Sequence, residues 1–372
     1  MKNILYLILI TFLLACNKDE QEVFPDLNME ITEKAQIVQL KEQKVFKVNL
    51  QEGKTLTHEW KLDSKVVSTE TSYAFVPLAV GNYQLVYTGS SAAGTFSYTY
   101  EIEVPIPVVA VTPNSSKYIS QVFEYLPAPG QHINNASQGS LAQAQKLIGG
   151  TTNLLSLGGF GGYVIFGFDH SVNNQQGYDL AVYGNPTGPS NASSEHGIVM
   201  VSQDKNGNGL PDDEWFELAG SEYSKATTIK NYEITYTNPK AFLDVPWTDN
   251  QGGSGMLKNL SKNKNHYPLF AANQDQITFK GTLLPATSLS TSGLVVNKPF
   301  EWGYTDSWSI GDDYAIKRYN SFDFDWAVGK DGEKVNLKTV DFIKVYTAQN
   351  INAGFLGEIS TDILGAVDLG IK

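Results

Sequence analysis

Residues 197–218 read Gly197-Ile198-Val199-Met200-Val201-Ser202-Gln203-Asp204-Lys205-Asn206-Gly207-Asn208-Gly209-Leu210-Pro211-Asp212-Asp213-Glu214-Trp215-Phe216-Glu217-Leu218. Both ends of this stretch are rich in β-branched and aromatic residues that alternate with other residues, which is typical of strands. The middle is polar and contains two glycines, which is typical of a loop. The stretch therefore predicts two strands joined by a long polar loop, and its flanks differ from the helices of an EF-hand.

The loop carries oxygen-bearing side chains at alternate positions, as a hard cation requires. Asp204, Asn206 and Asn208 would supply three side-chain oxygens, Gly209 would let the chain reverse, and the Leu210 carbonyl would follow. This spacing predicts a structural calcium site.

The sequence does not decide which residue closes the calcium shell. In an EF-hand a bidentate Glu occupies the twelfth position, where this chain has Trp215. Asp212 or Asp213 would close the shell, or else Glu214 or Glu217 on a different backbone path. The alternative is an Asn-Gly turn whose acids only face water, since such turns form without an ion.

The N-terminus has the layout of an export signal. Met1-Lys2-Asn3 precedes an apolar run from Ile4 to Leu14. That run is too short to cross a bilayer, which takes roughly 20 residues. Leu13-Leu14-Ala15-Cys16 resembles the lipobox of bacterial lipoproteins, in which the cysteine is acylated. The resemblance implies a signal peptide over residues 1–15 and a membrane anchor on a lipidated Cys16.

Residues 16–28 form an acidic tether by composition. Asn17-Lys18-Asp19-Glu20-Gln21-Glu22 resembles the surface-export signal of Bacteroidota lipoproteins, although a solvated linker would have the same composition. Together with the lipobox, the tract indicates a lipid-anchored protein on the outer face of the cell outer membrane. Cys16 is the only cysteine, so no disulfide can form within the chain.

Composition agrees with an extracellular β-protein. The chain has 27 Lys+Arg against 39 Asp+Glu and a formal net charge of -12, so nucleic acid is not expected as a partner, because binding phosphates needs a basic face. The 33 glycines and 12% aromatic residues fit strands joined by tight turns. A short helix is predicted only over Ser140–Ile148, where Ser140 is a capping residue and Gly149-Gly150 a stop.

Residues 29–104 predict a small sandwich, because short alternating segments follow one another with turn residues between them. Trp60 followed by Leu62-Asp63, and then Gly81-Asn82-Tyr83, resembles the PKD-like module of immunoglobulin type. In that module the Trp fills the core and the Tyr packs near a strand corner. Such modules mostly act as spacers, and Pro105-Ile106-Pro107 predicts a stiff linker after this one.

Residues 108–372 predict one larger β-domain, since sandwiches of roughly 200 to 250 residues are common. Its motifs resemble a family of jelly-roll domains on Bacteroidota surface lipoproteins, some of which belong to cobalamin-uptake loci served by TonB-dependent transporters. The resemblance implies a ligand-binding jelly roll after the PKD-like module and brings no catalytic motif. The motifs are the loop above and the segments Leu157–His170, Gly177–Asn185 and Val340–Thr347.

A candidate binding face comes from aromatic and amide residues in polar, glycine-rich segments. Such rings could stack on a sugar or on the flat face of a corrinoid, or they could be core, which is the commoner role of alternate rings in a sandwich. If residues 301–308 are extended, three of the rings share one face. The candidate ligand-binding residues are Trp247, Asp249, Asn250, His266, Tyr267, Trp302, Tyr304 and Trp308.

Catalytic patterns are weak. Asp323 and Asp325 would lie on one side of a strand as a glycosidase pair does, but such acids more often face water. The scattered histidines give no metal spacing.

These features together predict an all-β, non-enzymatic surface lipoprotein that captures a nutrient for TonB-dependent uptake. The first candidate is a corrinoid, by resemblance. One alternative is a glycan ligand, which the aromatic loops suggest. The other is a structural or adhesive role.

Overall fold

The computed structural model describes residues 23–52, 54–188, 193–291, 294–354 and 357–372. The predicted signal peptide, the lipidation site Cys16 and the tether up to residue 22 therefore lie outside the described residues. The chain divides into two compact units between Pro105 and Ile106. Strands are the main regular structure of both units, which confirms the predicted all-β class. In the part of the chain that is described, no helix is long and apolar enough to cross a membrane.

The first unit is a sandwich of two sheets with the orders β2-β8-β7-β4-β5 and β1-β3-β6. Its first strand begins at Leu27, two residues before the predicted start of the domain, because Leu27 pairs with Leu50. The strands are β1 Leu27–Met29, β2 Ala35–Ile37, β3 Lys44–Leu50, β4 Thr57–Leu62, β5 Lys65–Ser68, β6 Ser72–Phe75, β7 Gly81–Ser91 and β8 Gly94–Val104.

Trp60 lies at the centre of this sandwich. Its side chain is fully buried, and its indole nitrogen donates to the Glu70 carbonyl at 3.0 Å. The Tyr83 hydroxyl donates to the carbonyl of Ala79, four residues earlier, at 2.7 Å, which ties down the chain just before β7. Trp60 therefore fills the core of this unit, and Tyr83 is fixed at the start of β7.

The second unit contains the remaining strands and a few short helices. The strands are β9 Gln121–Leu126, β10 Leu155–Ser156, β11 Tyr163–Asn173, β12 Leu180–Tyr183, β13 Gly197–Ser202, β14 Trp215–Leu218, β15 Ile229–Thr237, β16 Val245–Asp249, β17 Ser254–Leu257, β18 Gln276–Leu283, β19 Ser288–Thr291, β20 Leu294–Asn297, β21 Asn320–Phe322, β22 Ala327–Val328, β23 Thr339–Thr347, β24 Asp362–Ile363 and β25 Gly365–Asp368. The helices are α1 Leu141–Ala144, α2 Tyr314–Lys317 and the 3-10 turns Gln145–Leu147, Leu269–Ala271 and Phe324–Trp326. The predicted cap of α1 is present, since the Ser140 hydroxyl accepts from the Gln143 N–H at 3.1 Å.

A six-stranded antiparallel sheet with the order β22-β14-β13-β23-β11-β9 is the middle layer of this unit. One face packs against the sheet β21-β12-β25 and the small pair β10-β24, in a core that includes Phe166, Val199 and Ile343. The other face packs against the sheet β17-β16-β15-β18, in a core that includes Tyr232 and Tyr346. The larger sandwich therefore carries a third layer, which the sequence analysis did not predict.

The sequence of β13 shows why both faces are covered. Val199 and Val201 point into the first core, whereas Ile198 and Met200 pack against the second. Successive side chains of a strand point to opposite faces, so a run that is apolar at every position needs a partner on each side.

The glycine-rich segment before β11 allows other elements to approach closely. A Cβ on Gly161, where φ is +86°, would lie 2.2 Å from the Cβ of Phe279 on β18. A Cβ on Gly158, where φ is +76°, would lie 2.1 Å from the Ala128 carbonyl oxygen. Only glycine fits at these two positions.

Candidate functional site

The loop predicted to bind calcium joins β13 to β14 and is held by its own side chains. Asp204 accepts from the N–H groups of Asn208 at 3.1 Å and Gly209 at 2.8 Å. Asp212 accepts from the side-chain amides of Asn206 and Asn208, each at 2.9 Å. The loop therefore brings the predicted acids and amides together.

Asp341, which the sequence analysis missed, also reaches this loop. It lies on β23, 137 residues beyond Asp204, and accepts from the Asp204 N–H at 2.8 Å. The Ser171 hydroxyl donates to its other oxygen. Burial raises the pKa of Asp341, and the carboxylates of Asp204 and Asp213 raise it further. The available signal was an acid inside an otherwise apolar strand.

The other residues considered as calcium ligands also have hydrogen-bond or ion-pair partners. The Leu210 carbonyl accepts from the Asp212 N–H at 2.9 Å, and Asp213 accepts from the Lys205 N–H at 3.0 Å. Glu214 lies 3.7 Å from the Lys205 ammonium. Glu217 points away from the loop, since its carboxylate pairs with Lys230 on β15.

One atom of the loop is unsatisfied. The side-chain oxygen of Asn206 is buried and has no hydrogen-bond partner among the described residues. Carboxylate and amide oxygens are what Ca²⁺ prefers, so the donor set fits this ion. In the part of the chain that is described, no three His, Cys, Asp or Glu side chains converge on one metal position. The carboxylates are turned instead toward N–H groups, and a bound ion would have to redirect them.

Three of the predicted ligand-binding residues are core residues. Tyr267 is 0%, His266 1% and Tyr304 1% exposed. The Tyr304 hydroxyl accepts from the Glu222 N–H at 3.0 Å, and His266 Nε2 lies 3.0 Å from the Ser261 hydroxyl. The prediction that they form an open binding face is wrong, because packing between layers buries them.

Trp302, Tyr304 and Trp308 also do not share a face. Residues 301–308 are irregular, since Gly303 and Asp306 have left-handed backbone with φ of 85° and 53°. Trp302 packs on Trp326 with ring centroids 4.7 Å apart, and Trp308 packs on Tyr314 at 5.2 Å.

The extended segment predicted at Asp323 and Asp325 is likewise absent. Asp323 caps the 3-10 turn Phe324–Trp326 by accepting from the Asp325 N–H at 2.8 Å.

Asp249 and Asn250 stabilise a turn. Asp249 accepts from the Gly253 N–H at 2.6 Å and from the Tyr232 hydroxyl at 2.9 Å. Asn250 donates to the Asn231 carbonyl at 2.9 Å and accepts from the Glu233 N–H at 3.1 Å. Both side chains therefore serve the backbone, contrary to the prediction that they bind a ligand.

Trp247 is the predicted ligand residue that does line a cleft. It lies on β16 opposite Gly255 on β17, and a Cβ on Gly255 would come within 2.6 Å of the indole ring. The cleft has a volume of about 270 Å³. It is lined by the ring, by apolar side chains such as Met256, and by polar residues of the segment that follows β23, including Gln349, Asn350, Asn352 and Glu358.

Glu358 is the most unusual polar residue of this cleft. Its side chain is buried, one carboxyl oxygen accepts from the Gln131 N–H at 2.8 Å, and the other is buried without a partner among the described residues. Burial raises the pKa of Glu358 to about 7. Below that pH the carboxyl is protonated and can donate a hydrogen bond to a ligand. The sequence analysis missed it because nothing near Glu358 marks it as buried.

Comparisons with known proteins leave the family open. No known family profile matches the sequence, and no curated protein matches it significantly. Two similar solved structures are a quinonprotein alcohol dehydrogenase-like protein from Bacteroides thetaiotaomicron and a calcium-binding mutant of Bacteroides uniformis β-glucuronidase 2. The first is 11% identical over 84% of this chain and 72% of that chain, with a TM-score of 0.21. The second is 9% identical over 87% and 30%, with a TM-score of 0.18. Likenesses this low carry no argument about fold or function.

The buried Glu358 carboxyl should make the stability of the second unit depend on pH. Its pKa rises from an ordinary 4.5 to about 7 on folding, so the folded state holds the proton more tightly. The contribution to stability is complete below about pH 4.5 and is lost as the pH rises through 7, by about 3 kcal/mol for this group. Denaturant unfolding of Glu358→Gln from pH 5 to 8 should show a flatter pH dependence than the native chain. Glu301→Gln, which alters an exposed side chain, is the control, and equal slopes for all three proteins would contradict the expectation.

Proposed function

We propose that this protein is a surface lipoprotein that binds a small polyhydroxylated ring compound, such as one sugar unit of a glycan, in the Trp247 cleft and does not turn it over. The observation that carries the proposal is the combination of an indole wall with amides and a protonatable, half-partnered carboxyl in one cleft. Sugars offer an apolar ring face to an aromatic side chain and hydroxyls to amides and carboxyls.

The size of the cleft supports a single ring. Its volume of about 270 Å³ lies just under the range of roughly 300 to 1,000 Å³ for sites that enclose drug-sized ligands. A corrinoid, which the family resemblance implies, is too large to enter and would have to lie across the rim. The geometry therefore favours the glycan over the corrinoid, and both belong in the binding test.

The proposed location rests on the sequence alone. An acylated Cys16 followed by the acidic tether would hold the protein on the outer membrane. The first unit would then act as a spacer, and the second would present its cleft to the medium. A TonB-dependent transporter is the proposed recipient of the ligand.

We also propose that calcium stabilises the loop between β13 and β14. The oxygen donors of this loop and the unsatisfied Asn206 oxygen support the proposal. Extracellular calcium sites typically have dissociation constants of about 10⁻⁴ to 10⁻³ M, which suits a structural ion outside the cell.

Replacing the indole should weaken ligand binding. Isothermal titration of the full chain with a panel of oligosaccharides and with cyanocobalamin should detect a glycan ligand, and Trp247→Ala should lower its affinity about tenfold, since stacking contributes about 1.4 kcal/mol. Phe242→Ala is the matched control, because Phe242 is 53% exposed and lies outside the cleft lining. Binding of cyanocobalamin alone, or a glycan affinity that Trp247→Ala leaves unchanged, would overturn the assignment of the cleft.

Removing calcium should lower the melting temperature of the second unit. At 10 mM Ca²⁺ the typical affinities correspond to about 1.4 to 2.7 kcal/mol of stabilisation, or a few degrees. Asp212→Asn should abolish the difference between calcium and chelator, whereas Asp275→Asn should retain it, because Asp275 is 92% exposed and distant from the loop in sequence. A native chain that melts at the same temperature in both conditions would show that the loop acids only cap backbone groups.

The anchor can be tested by lipid labelling. Cells that express the full chain should incorporate labelled palmitate into the protein, which should be digested by protease added to intact cells. Cys16→Ser should lose the label and leave the membrane fraction, while the neighbouring change Asn17→Ser should not. An unlabelled native chain recovered from the periplasm would exclude the proposed location.

A further inference from the structure

A second cleft lies between the six-stranded sheet and the sheet β17-β16-β15-β18. Its volume is about 610 Å³, larger than that of the Trp247 cleft. Residues from β13, β14, β15, β18 and β23 line it, together with the turn after β22. Neither the proposed function nor any motif of the sequence accounts for this cleft.

The floor of the cleft is a row of side chains across the six-stranded sheet. Lys344 on β23 is opposite Met200 on β13, and Met200 is opposite Glu217 on β14. Opposite residues point to the same face, so all three side chains face the cleft. Lys344 and Glu217 are two strands apart, roughly 10 Å at their Cα atoms, and their charges do not pair.

Lys344 is a cation on a central strand of the six-stranded sheet. No carboxylate of the described residues lies within 4 Å of its ammonium, which instead sits over the ring of Tyr163 at 3.8 Å. The Tyr163 hydroxyl donates to Glu124 at 2.8 Å. Burial lowers the pKa of Lys344, and the attraction of the Glu124 carboxylate offsets part of this shift. Desolvated charges are usually paired at hydrogen-bond distance, so an anion in the cleft would stabilise this ammonium further.

Two other lysines of the cleft have ion-pair partners, and Lys330 and Asp331 add one charge of each sign at the turn after β22. The Lys230 ammonium lies over the Tyr223 ring and 3.7 Å from Glu217, and Lys280 pairs with Glu233 at 2.6 Å. Lys344, on the floor of the cleft, has no carboxylate of the described residues within 4 Å.

The backbone of β15 beside the cleft is irregular and adopts an unfavourable conformation. The pairing of β15 with β18 is interrupted between Ile229 and Tyr232, and Asn231 there has a left-handed φ of 55°. Such conformations are unfavourable and concentrate at binding sites. Asn250, in the neighbouring turn, stabilises this bulge. Its side chain donates a hydrogen bond to the Asn231 carbonyl and accepts one from the Glu233 N–H. Lys230 and Asn231, which lie at this bulge, line the cleft.

We infer that this cleft is a binding site for a small organic carboxylate of one-ring size, whose carboxylate forms the direct ion pair that Lys344 lacks. Met200 and Trp215, which also line the cleft, offer apolar surface to the ring of the ligand. Bound carboxylate would raise the pKa of Lys344 again, because an opposite charge favours the ammonium form. This site is separate from the Trp247 cleft and does not depend on the function proposed there.

Matched sugars can test the inference. D-glucuronate and D-glucose share one ring and differ in the carboxylate. In isothermal titration the full chain should bind glucuronate at least tenfold more tightly than glucose, and Lys344→Met should abolish this preference. Lys240→Met, which removes a lysine outside the cleft, should keep the preference, and so should Trp247→Ala. Equal binding of the two sugars, no binding of glucuronate, or a preference that persists in Lys344→Met would each overturn the inference.

A measurement on the native chain covers the case in which Lys344→Met does not fold. Reductive methylation, followed by mass spectrometry of the Lys344 peptide, should be slower with saturating glucuronate than with glucose. Methylation of Lys240 should be the same with both sugars. Equal rates at Lys344 would show that the lysine is only structural.

Discussion

The burial of both faces of the six-stranded sheet is the constraint on which the second unit depends. The strands β11, β13 and β23 carry apolar side chains toward both neighbouring sheets, so neither outer layer could bury its own apolar face without the middle one. Where the layers stay in contact they form the two cores, and where β15 and β18 leave the middle sheet the second cleft opens. The positions of the cores and of this cleft are consequences of the same packing.

Local sequence patterns predicted the structural features that depend only on residues close together in the chain. The alternation on either side of residues 203–214 gave two strands and a loop, and Ser140 and Gly149 bounded the short helix. The resemblance to a PKD-like module implied that Trp60 fills a core, and the side chain is fully buried. Apolar runs such as that of β13 show that a strand is covered on both sides, yet they do not show which sheet covers it. The third layer therefore could not be derived from the pattern alone.

The predicted binding face failed for two physical reasons. First, the alternation assumed for residues 301–308 needs an extended backbone, and the left-handed residues Gly303 and Asp306 break it. Second, polar side chains in a glycine-rich turn have backbone N–H groups within reach that must be satisfied. Asp249 and Asn250 bond to those groups, so the turn uses the very residues that composition marked as available for a ligand.

Two charged residues of β23 look alike in the sequence but have different surroundings in the structure. Asp341 and Lys344 both interrupt an apolar strand, and from the sequence they are equivalent anomalies. Asp341 has partners within the chain, since the Asp204 N–H and the Ser171 hydroxyl both donate to it, and it thereby ties the loop between β13 and β14 to the central strand. Lys344 contacts an aromatic ring, and the carboxylate that attracts it, Glu124, forms no ion pair with it within 4 Å. A charge on a central strand must be compensated from within the fold or from outside, because the surrounding protein solvates it less well than water does. The Asp341 carboxylate is hydrogen-bonded from within the fold, which makes it structural. The Lys344 ammonium is only partly compensated by Glu124, which is why the cleft in front of it is the place to look for an anion.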